Sequence, residues 1–435
     1  MCYAIPGKII NIENKKVTVE YFGEKKTAVN EFKNLNIGDY VYAQGGYVIK
    51  KISEPEALEI LSVWRETFFE LQELDLRLSR LDLESKGIDK KLALILDAAA
   101  EDRQVSKEDL LYLLNLEKDE EISLLYKVAN FLRSKHLGNS CCVHGIIEFS
   151  NYCSQSCCYC GISTFNKDLK RYRMTKSEIM DAAKEAVEKY GFGALVLQSG
   201  EDPAYSVDDL CDIVSQIKKN FDVLLFISFG EVGLGGLQKL YDAGARGLLM
   251  RFETSNEEIY KKLHPGRSLK SRIEHLEAAY KMGYLIITGG LIGLPGQTNE
   301  DILNNILLTR ALNTEMYTFG PFLAHPDTPL KDVPPPETRD VLKTLAVCRI
   351  ADPKNAKILV TTGFETLDPK AREEGLMAGA NSVMLNVTPD DFKKHYLIYP
   401  NRAHSNESLQ QQIDSTLAIL RGLGRAPTDL GIATQ

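Results

Sequence analysis

Gly145-Ile-Ile-Glu-Phe-Ser150-Asn-Tyr-Cys153-Ser-Gln-Ser-Cys157-Cys158-Tyr159-Cys160 joins an apolar run of strand length to three cysteines at C-x3-C-x2-C spacing. Three thiolates so placed bind a four-iron cluster and leave one iron without a protein ligand. Cys153, Cys157 and Cys160 are therefore the expected ligands of a 4Fe-4S cluster. A cluster that only carries electrons takes four cysteines, and a structural zinc site usually shows two close Cys or His pairs. Neither pattern fits here, so the open iron implies chemistry.

Outward from this stretch, a strand-then-helix cadence recurs eight times, with apolar runs at 145–150, 194–198, 223–228, 247–251, 285–290, 316–322, 357–361 and 382–386. Eight parallel β/α units predict an α/β chain with a (β/α)8 TIM barrel over 143–400. Polar and glycine residues recur just past almost every strand end, which favours the closed barrel over a doubly wound open sheet. Thr175-Lys-Ser-Glu178, Ser206-Val-Asp-Asp209, Thr298-Asn-Glu-Asp301 and Ser106-Lys-Glu-Asp109 read as helix N-caps. Upstream, residues 1–53 alternate short apolar runs with turn residues, as a small all-β barrel does. Residues 54–142 form a helical linker and barrel lead-in, with Ala57, Leu58, Ile60, Leu61, Trp64, Phe68, Leu71 and Leu74 on one apolar face, and 401–435 form a helical tail.

The chain has 435 residues, 44% of them hydrophobic, and a formal net charge of -8. That balance gives no general attraction to nucleic acid or anionic membrane. No apolar run reaches the ~18 residues of a membrane span, and the N-terminus lacks a signal-peptide pattern. The nine cysteines cluster rather than space through loops, which fits a reducing, cytoplasmic setting with metal ligation. Cys141, Cys142, Cys158, Cys211 and Cys348 read as small apolar residues.

The amino and carboxylate groups of S-adenosylmethionine (SAM) can chelate the open iron, and the spacing resembles the radical SAM superfamily. SAM cleavage then needs a site at several strand ends. Gln198-Ser199-Gly200-Glu201 offers an acid and adjacent backbone to the SAM ammonium; alternatively, Glu201 caps the next helix. Arg251 and Glu253 share one side of a strand and either meet the SAM carboxylate and ribose or form a structural ion pair. Tyr159 lies against the adenine or packs the cluster loop. Gly290, in Gly289-Gly-Leu-Ile-Gly293, permits close approach of backbone to a ligand. The glycines of 230–236 read as a flexible connection. His325, Thr361, Thr362 and Asn386 fall at later strand ends, where they can bond a polar substrate.

Ile146-Ile-Glu-Phe-Ser-Asn-Tyr-Cys153, Lys170-Arg-Tyr-Arg-Met-Thr175, Leu197-Gln-Ser-Gly-Glu-Asp-Pro203, Leu294-Pro-Gly-Gln-Thr298, His325-Pro-Asp-Thr-Pro-Leu330 and Tyr396-Leu-Ile-Tyr-Pro400 resemble the HydE-type radical SAM maturases of iron-iron hydrogenase. The resemblance covers roughly 90–430. It implies that Arg251, Glu253, Arg272 and Tyr396 contact SAM; Tyr399, in the last of these motifs, is a candidate catalytic residue. It also implies a 5'-deoxyadenosyl radical acting on an iron-cysteine precursor that carries CO and cyanide, with an electron donor such as ferredoxin or flavodoxin and hydrogenase maturation proteins as partners. The chain departs from that family at His144, usually an arginine, and at Phe252, usually a histidine, both expected near the cavity mouth. No cysteine follows Cys348, so the second cluster of some members cannot form.

Met1-Cys2-Tyr-Ala-Ile-Pro-Gly-Lys8 and Gly38-Asp-Tyr-Val-Tyr-Ala-Gln44-Gly-Gly-Tyr47 resemble the small HypC-type hydrogenase chaperones. Cys2 matches their iron-carrying thiol, whereas Gln44 stands where they have a histidine and is a poorer ligand for a soft iron. Two other functions stay open: a radical SAM enzyme on a small thiol compound or amino acid, like biotin synthase or methylornithine synthase, and a non-catalytic iron chaperone or scaffold.

Overall fold

Alternating apolar positions in the first 52 residues give five strands, β1 (Gly7–Glu13), β2 (Lys16–Tyr21), β3 (Glu24–Val29), β4 (Tyr40–Gln44) and β5 (Tyr47–Ile52), closed in the order β1-β2-β3-β5-β4. Ile9, Val17, Val19, Val41, Ala43 and Val48 fill this small barrel. The structure is a computed structural model that describes residues 3–81 and 88–430; Cys2 lies outside the described residues. The two-residue β4–β5 turn uses Gly45 (φ 53°) and Gly46 (φ 82°), since a tight hairpin of this kind needs positive φ at both positions.

Helix α1 (Glu54–Leu78), capped by Ser53, follows. Its stripe of Ala57, Leu61, Trp64, Phe68 and Leu71 covers the small barrel. Leu58 does not belong to that stripe: it is 50% exposed, because one residue's step turns it about 100° around the helix. Three further helices, α2 (Lys90–Ala100), α3 (Lys107–Leu114) and α4 (Asp119–Leu137), lead into the second barrel. Asp75 of α1 is buried and takes a bidentate bond from Arg133 at 2.8 Å on each oxygen, with Arg425 Nε 3.1 Å away. This pairing of buried charges ties α1 to α4 and to the chain's end.

The second barrel begins with β6 (Ser140–Ser150), followed by β7 (Ala194–Ser199), β8 (Leu224–Ser228), β9 (Gly247–Leu249), β10 (Leu285–Thr288), β11 (Leu291–Ile292), β12 (Met316–Tyr317), β13 (Gly320–Pro321), β14 (Lys357–Ile358), β15 (Ser382–Asn386) and β16 (Ala426–Pro427). Eight strands run parallel in the order β14-β12-β10-β9-β8-β7-β6-β15, and a Leu359–Ser382 bridge joins the two ends. All eight apolar runs supply a strand, as a (β/α)8 barrel requires. The Thr175, Ser206 and Thr298 capping boxes form, and Ser106 caps α3. After the tail helix Leu409–Gly422, β16 pairs with the start of β6.

One location differs from expectation. Cys141 and Cys142 do not precede the barrel but lie on β6, whose first residue is Ser140. Glycines of the β4–β5 turn bring the small barrel against the base of the large one: a Cβ on Gly45 would lie 2.5 Å from Leu224 Cδ2. Tyr47 and Ile49 pack onto the Cys142, Ala194, Leu224 and Phe226 side chains. Arg246 pairs with Glu31 at 3.0 Å across the same seam.

Candidate active site

Side chains alternate along a strand, so β6 turns Cys142, His144, Ile146 and Glu148 to one side, at increasing height in the barrel. At the top, Glu148 is fully buried and is gripped by Arg402, whose Nη1 donates to Oε2 at 2.8 Å, and by Asn386 Nδ2 at 2.7 Å. The chain then leaves the strand and forms the cysteine loop. Arg171 shapes that loop by donating to the carbonyls of Asn151, Ile162, Ser163 and Asn166. Gly200 lets the loop pass close to β7, since a Cβ there would sit 2.3 Å from Tyr152 O and 2.6 Å from Cys153 Cβ.

Cys153, Cys157 and Cys160 line one cavity of about 320 Å3 at the carboxyl ends of the strands, and no fourth cysteine stands among its lining residues. The three sulfurs do not form a group within 4.8 Å of one another among the described residues, as ligands to separate irons should not. Burial raises all three thiols, Cys160 to about 12. A bound metal reverses that cost by holding the thiolate form, so loading releases protons. The geometry and donor set thus fit a 4Fe-4S cluster.

Opposite the loop, Arg251 Nε lies 3.2 Å from Glu253 Oε2, an oxygen that is buried without a hydrogen bond among the described residues. Glu253 has φ 68°, the left-handed region that a β-carbon disfavours, at a cost of roughly 1–3 kcal/mol. This strained, unsatisfied acceptor beside a guanidinium fits a ligand that brings both a hydroxyl and a carboxylate, as SAM does. Tyr159 stacks edge-on to His264 and hydrogen-bonds its Nε2 at 3.2 Å. Burial, then Arg272, lower the His264 pKa to about 3, so the ring is neutral. Gln198 Nε2 donates to Tyr396 Oη at 3.4 Å, and both line the cavity with Ser199, Gly200, Arg272, Thr361, Thr362 and Tyr399.

Several expected roles are corrected. Glu201 caps no helix: Arg267 Nη2 reaches both its oxygens at 3.0 Å and Gln155 Nε2 donates at 2.7 Å. Gly290 does not line the cavity; its missing Cβ makes room for Glu253 O, 2.7 Å from where that carbon would lie, so the close approach is between strands. His325 also stays off the cavity, because its backbone N–H bonds Tyr159 O at 2.9 Å and its ring packs on Gly161 beneath the cysteine loop. Thr361 Oγ1 accepts from Phe364 N–H and caps helix Thr362–Leu367. Neither His144 nor Phe252 is near the mouth. His144 lies below Ile146, and Phe252 points away from Arg251 and Glu253 into the core between sheet and helices. Glu231 carries a role that its glycine-rich surroundings hide: it pairs with Arg272 at 3.0 Å and with Ser271 at 2.7 Å. Arg171, Arg267, Glu148 and Arg402 were equally invisible, since their partners are distant in sequence or are backbone.

Family models match the chain in three places: the Radical SAM superfamily at 147–308, the HupF/HypC family at 1–64 and the Biotin and Thiamin Synthesis associated domain at 302–413. The [FeFe] hydrogenase maturase subunit HydE of Thermotoga maritima is 38% identical over 327 residues, 75% of this chain and 93% of the relative. The 3-methylornithine synthase of Methanosarcina acetivorans is 31% identical over 326 residues, 74% of this chain and 91% of the relative. The crystal structure of methylornithine synthase (PylB) has a TM-score of 0.67 at 27% identity, covering 77% of this chain and 97% of that one. The chain belongs to the radical SAM superfamily and is a radical SAM enzyme. Within the superfamily it is of the HydE type, with an N-terminal segment of the HupF/HypC family. No helix among the described residues is long and apolar enough to cross a membrane.

Proposed function

We propose that the chain cleaves SAM reductively at the barrel mouth and directs the resulting 5'-deoxyadenosyl radical at an iron-cysteine precursor with CO and cyanide ligands, in maturation of the [FeFe] hydrogenase H-cluster. Cys153, Cys157 and Cys160 would hold a 4Fe-4S cluster, which supplies the electron that breaks the sulfonium bond. Arg251 and Arg272 would receive the SAM carboxylate, Glu253 Oε2 a ribose hydroxyl and the Tyr159–His264 wall the adenine. Glu201 is committed to Arg267, so the SAM ammonium would meet the Ser199–Gly200 backbone. Ferredoxin or flavodoxin would deliver the electron, and other hydrogenase maturation proteins would take the product.

The observation that carries this reading is the convergence of three cysteines and the Arg251–Glu253 pair on one cavity. Substrate choice draws support from the cavity floor. Ile146, Leu249, Leu359 and Met384 form it, and Thr318, Thr361, Thr362 and Tyr399 offer hydroxyls. The two carboxylates among the lining residues, Glu201 and Glu253, both already face arginines. With Glu201 held by Arg267 and Glu253 Oε2 given to the SAM ribose, a cationic amino acid would find no free carboxylate there, which favours the organometallic substrate. The relation to 3-methylornithine synthase keeps an amino-acid substrate as the second reading.

Anaerobic reconstitution with reductant and SAM should yield 5'-deoxyadenosine, faster when a synthetic iron-cysteine-CO-cyanide compound is added. Formation of 3-methylornithine from an amino-acid mixture, with no response to the iron compound, would replace the first reading by the second.

A further inference from the structure

Below Ile146, the β6 side chains Cys142 and His144 meet Asp429, which follows β16. The three are 2%, 2% and 1% exposed. One ligand atom from each lies within 4.8 Å of the others, and no other such group occurs among the described residues. His144 Nε2 stands 3.2 Å from Asp429 Oδ2, yet among the described residues neither ring nitrogen of His144 nor Asp429 Oδ1 makes an aligned hydrogen bond. Buried polar groups are normally satisfied, so three unsatisfied atoms converging beside a thiol call for an explanation.

We infer that Cys142, His144 and Asp429 form a mononuclear site for a divalent first-row ion of the zinc or ferrous type at the base of the barrel. Nitrogen and oxygen donors about 3.2 Å apart, facing without hydrogen-bond alignment, have the spacing of neighbouring corners around one small ion. Thiolate, imidazole and carboxylate together suit zinc or ferrous iron rather than magnesium or calcium. With the thiol and carboxyl ionised and the imidazole neutral, the donors carry two negative charges, which a divalent ion neutralises. Lys357, a nearby cation, is already tied to Glu315. Supporting contacts exist. The Thr428 hydroxyl donates to Asp429 Oδ2 at 2.6 Å, Gly193 N–H donates to the Asp429 carbonyl at 2.7 Å, and the His144 ring stacks on Phe226 at 5.1 Å. Such outer contacts orient ligands. Three protein ligands leave a tetrahedral ion one further position.

The small barrel closes this end. Gln44 packs on Gly193, where a Cβ would lie 3.0 Å from Gln44 Cγ, and its buried Oε1 has no hydrogen-bond partner among the described residues. The ion therefore sits under the seam between the two barrels, with the Ile146 layer between it and the cavity, and does not depend on the chemistry proposed there.

Cobalt(II) is the probe. In the full chain with Cys153, Cys157 and Cys160 replaced by Ala, which removes iron-sulfur absorbance, one equivalent of Co2+ should bind with a cysteinate charge-transfer band and tetrahedral ligand-field bands. Zn2+ should displace it. Cys142→Ser should abolish the charge-transfer band, His144→Ala should weaken Co2+ binding at least tenfold, and Cys2→Ser should leave the spectrum unchanged. Circular dichroism of each variant separates lost binding from lost folding. In the intact, cluster-reconstituted chain, zinc added after chelator treatment should be retained at one equivalent. Absence of a cysteinate band in the parent chain, or a band that survives Cys142→Ser and disappears in Cys2→Ser, overturns the site.

Discussion

The two ends of the large barrel hold their polar groups in opposite ways. At the top, Arg251, Glu253, Glu201, Arg267 and Arg272 border a cavity and are paired with one another or with Glu231. At the base, Cys142, His144 and Asp429 are enclosed by apolar side chains and by the docked small barrel. Charge that faces a cavity can be redistributed when a ligand enters. Charge sealed under packing needs a fixed counter-ion from the start. The top is thus built to bind and release, and the base to hold.

Substitutions can break this contrast at either end. The largest effect is expected from Arg402→Ala, which strands the buried Glu148 carboxylate; a loss of about 3–5 kcal/mol should appear as a lower denaturation midpoint. Gly200→Ala comes next, because its Cβ collides with Tyr152 and Cys153 and must push the cysteine loop outward. Overpacking of this kind costs about 1–3 kcal/mol, and iron content after reconstitution should fall with it. At the base, Gly45→Ala should cost about 1–2 kcal/mol, since φ 53° is a left-handed conformation. The small barrel should then become more accessible to protease while 5'-deoxyadenosine formation holds; a parallel loss of activity would mean that the two ends are coupled. Leu58→Ser on the exposed side of α1 should change stability by less than about 0.5 kcal/mol.

What could be read in advance divides along the same physical lines. Strand cadence and capping boxes are local, so all eight strands and the Thr175, Ser206 and Thr298 caps were legible from spacing. So was the cysteine loop, which lies on eight consecutive residues. Depth within the barrel was not legible. A period of two says which face a residue takes but not its height, so His144 falls at the base; for Phe252 the same alternation that pairs Arg251 with Glu253 already turns it to the opposite face. Long-range pairs are silent for a similar reason: Glu148 and Arg402 are 254 positions apart, and Glu201 and Arg267 are 66 apart. The glycine stretch at 289–290 announced a close approach but could not say that its partners are the Thr318 and Glu253 backbones rather than a ligand. Asp429 carries no local signal, since β16 is two residues long.

On the proposed function, the three-cysteine loop at the top of the barrel drives SAM cleavage. The most direct measurement compares anaerobically reconstituted parent and Cys157→Ala chains for 5'-deoxyadenosine released from SAM under reductant, with iron content determined on the same samples. Steady release is expected from the parent, and background release, with the cluster iron lost, from Cys157→Ala. Undiminished release from Cys157→Ala would contradict it.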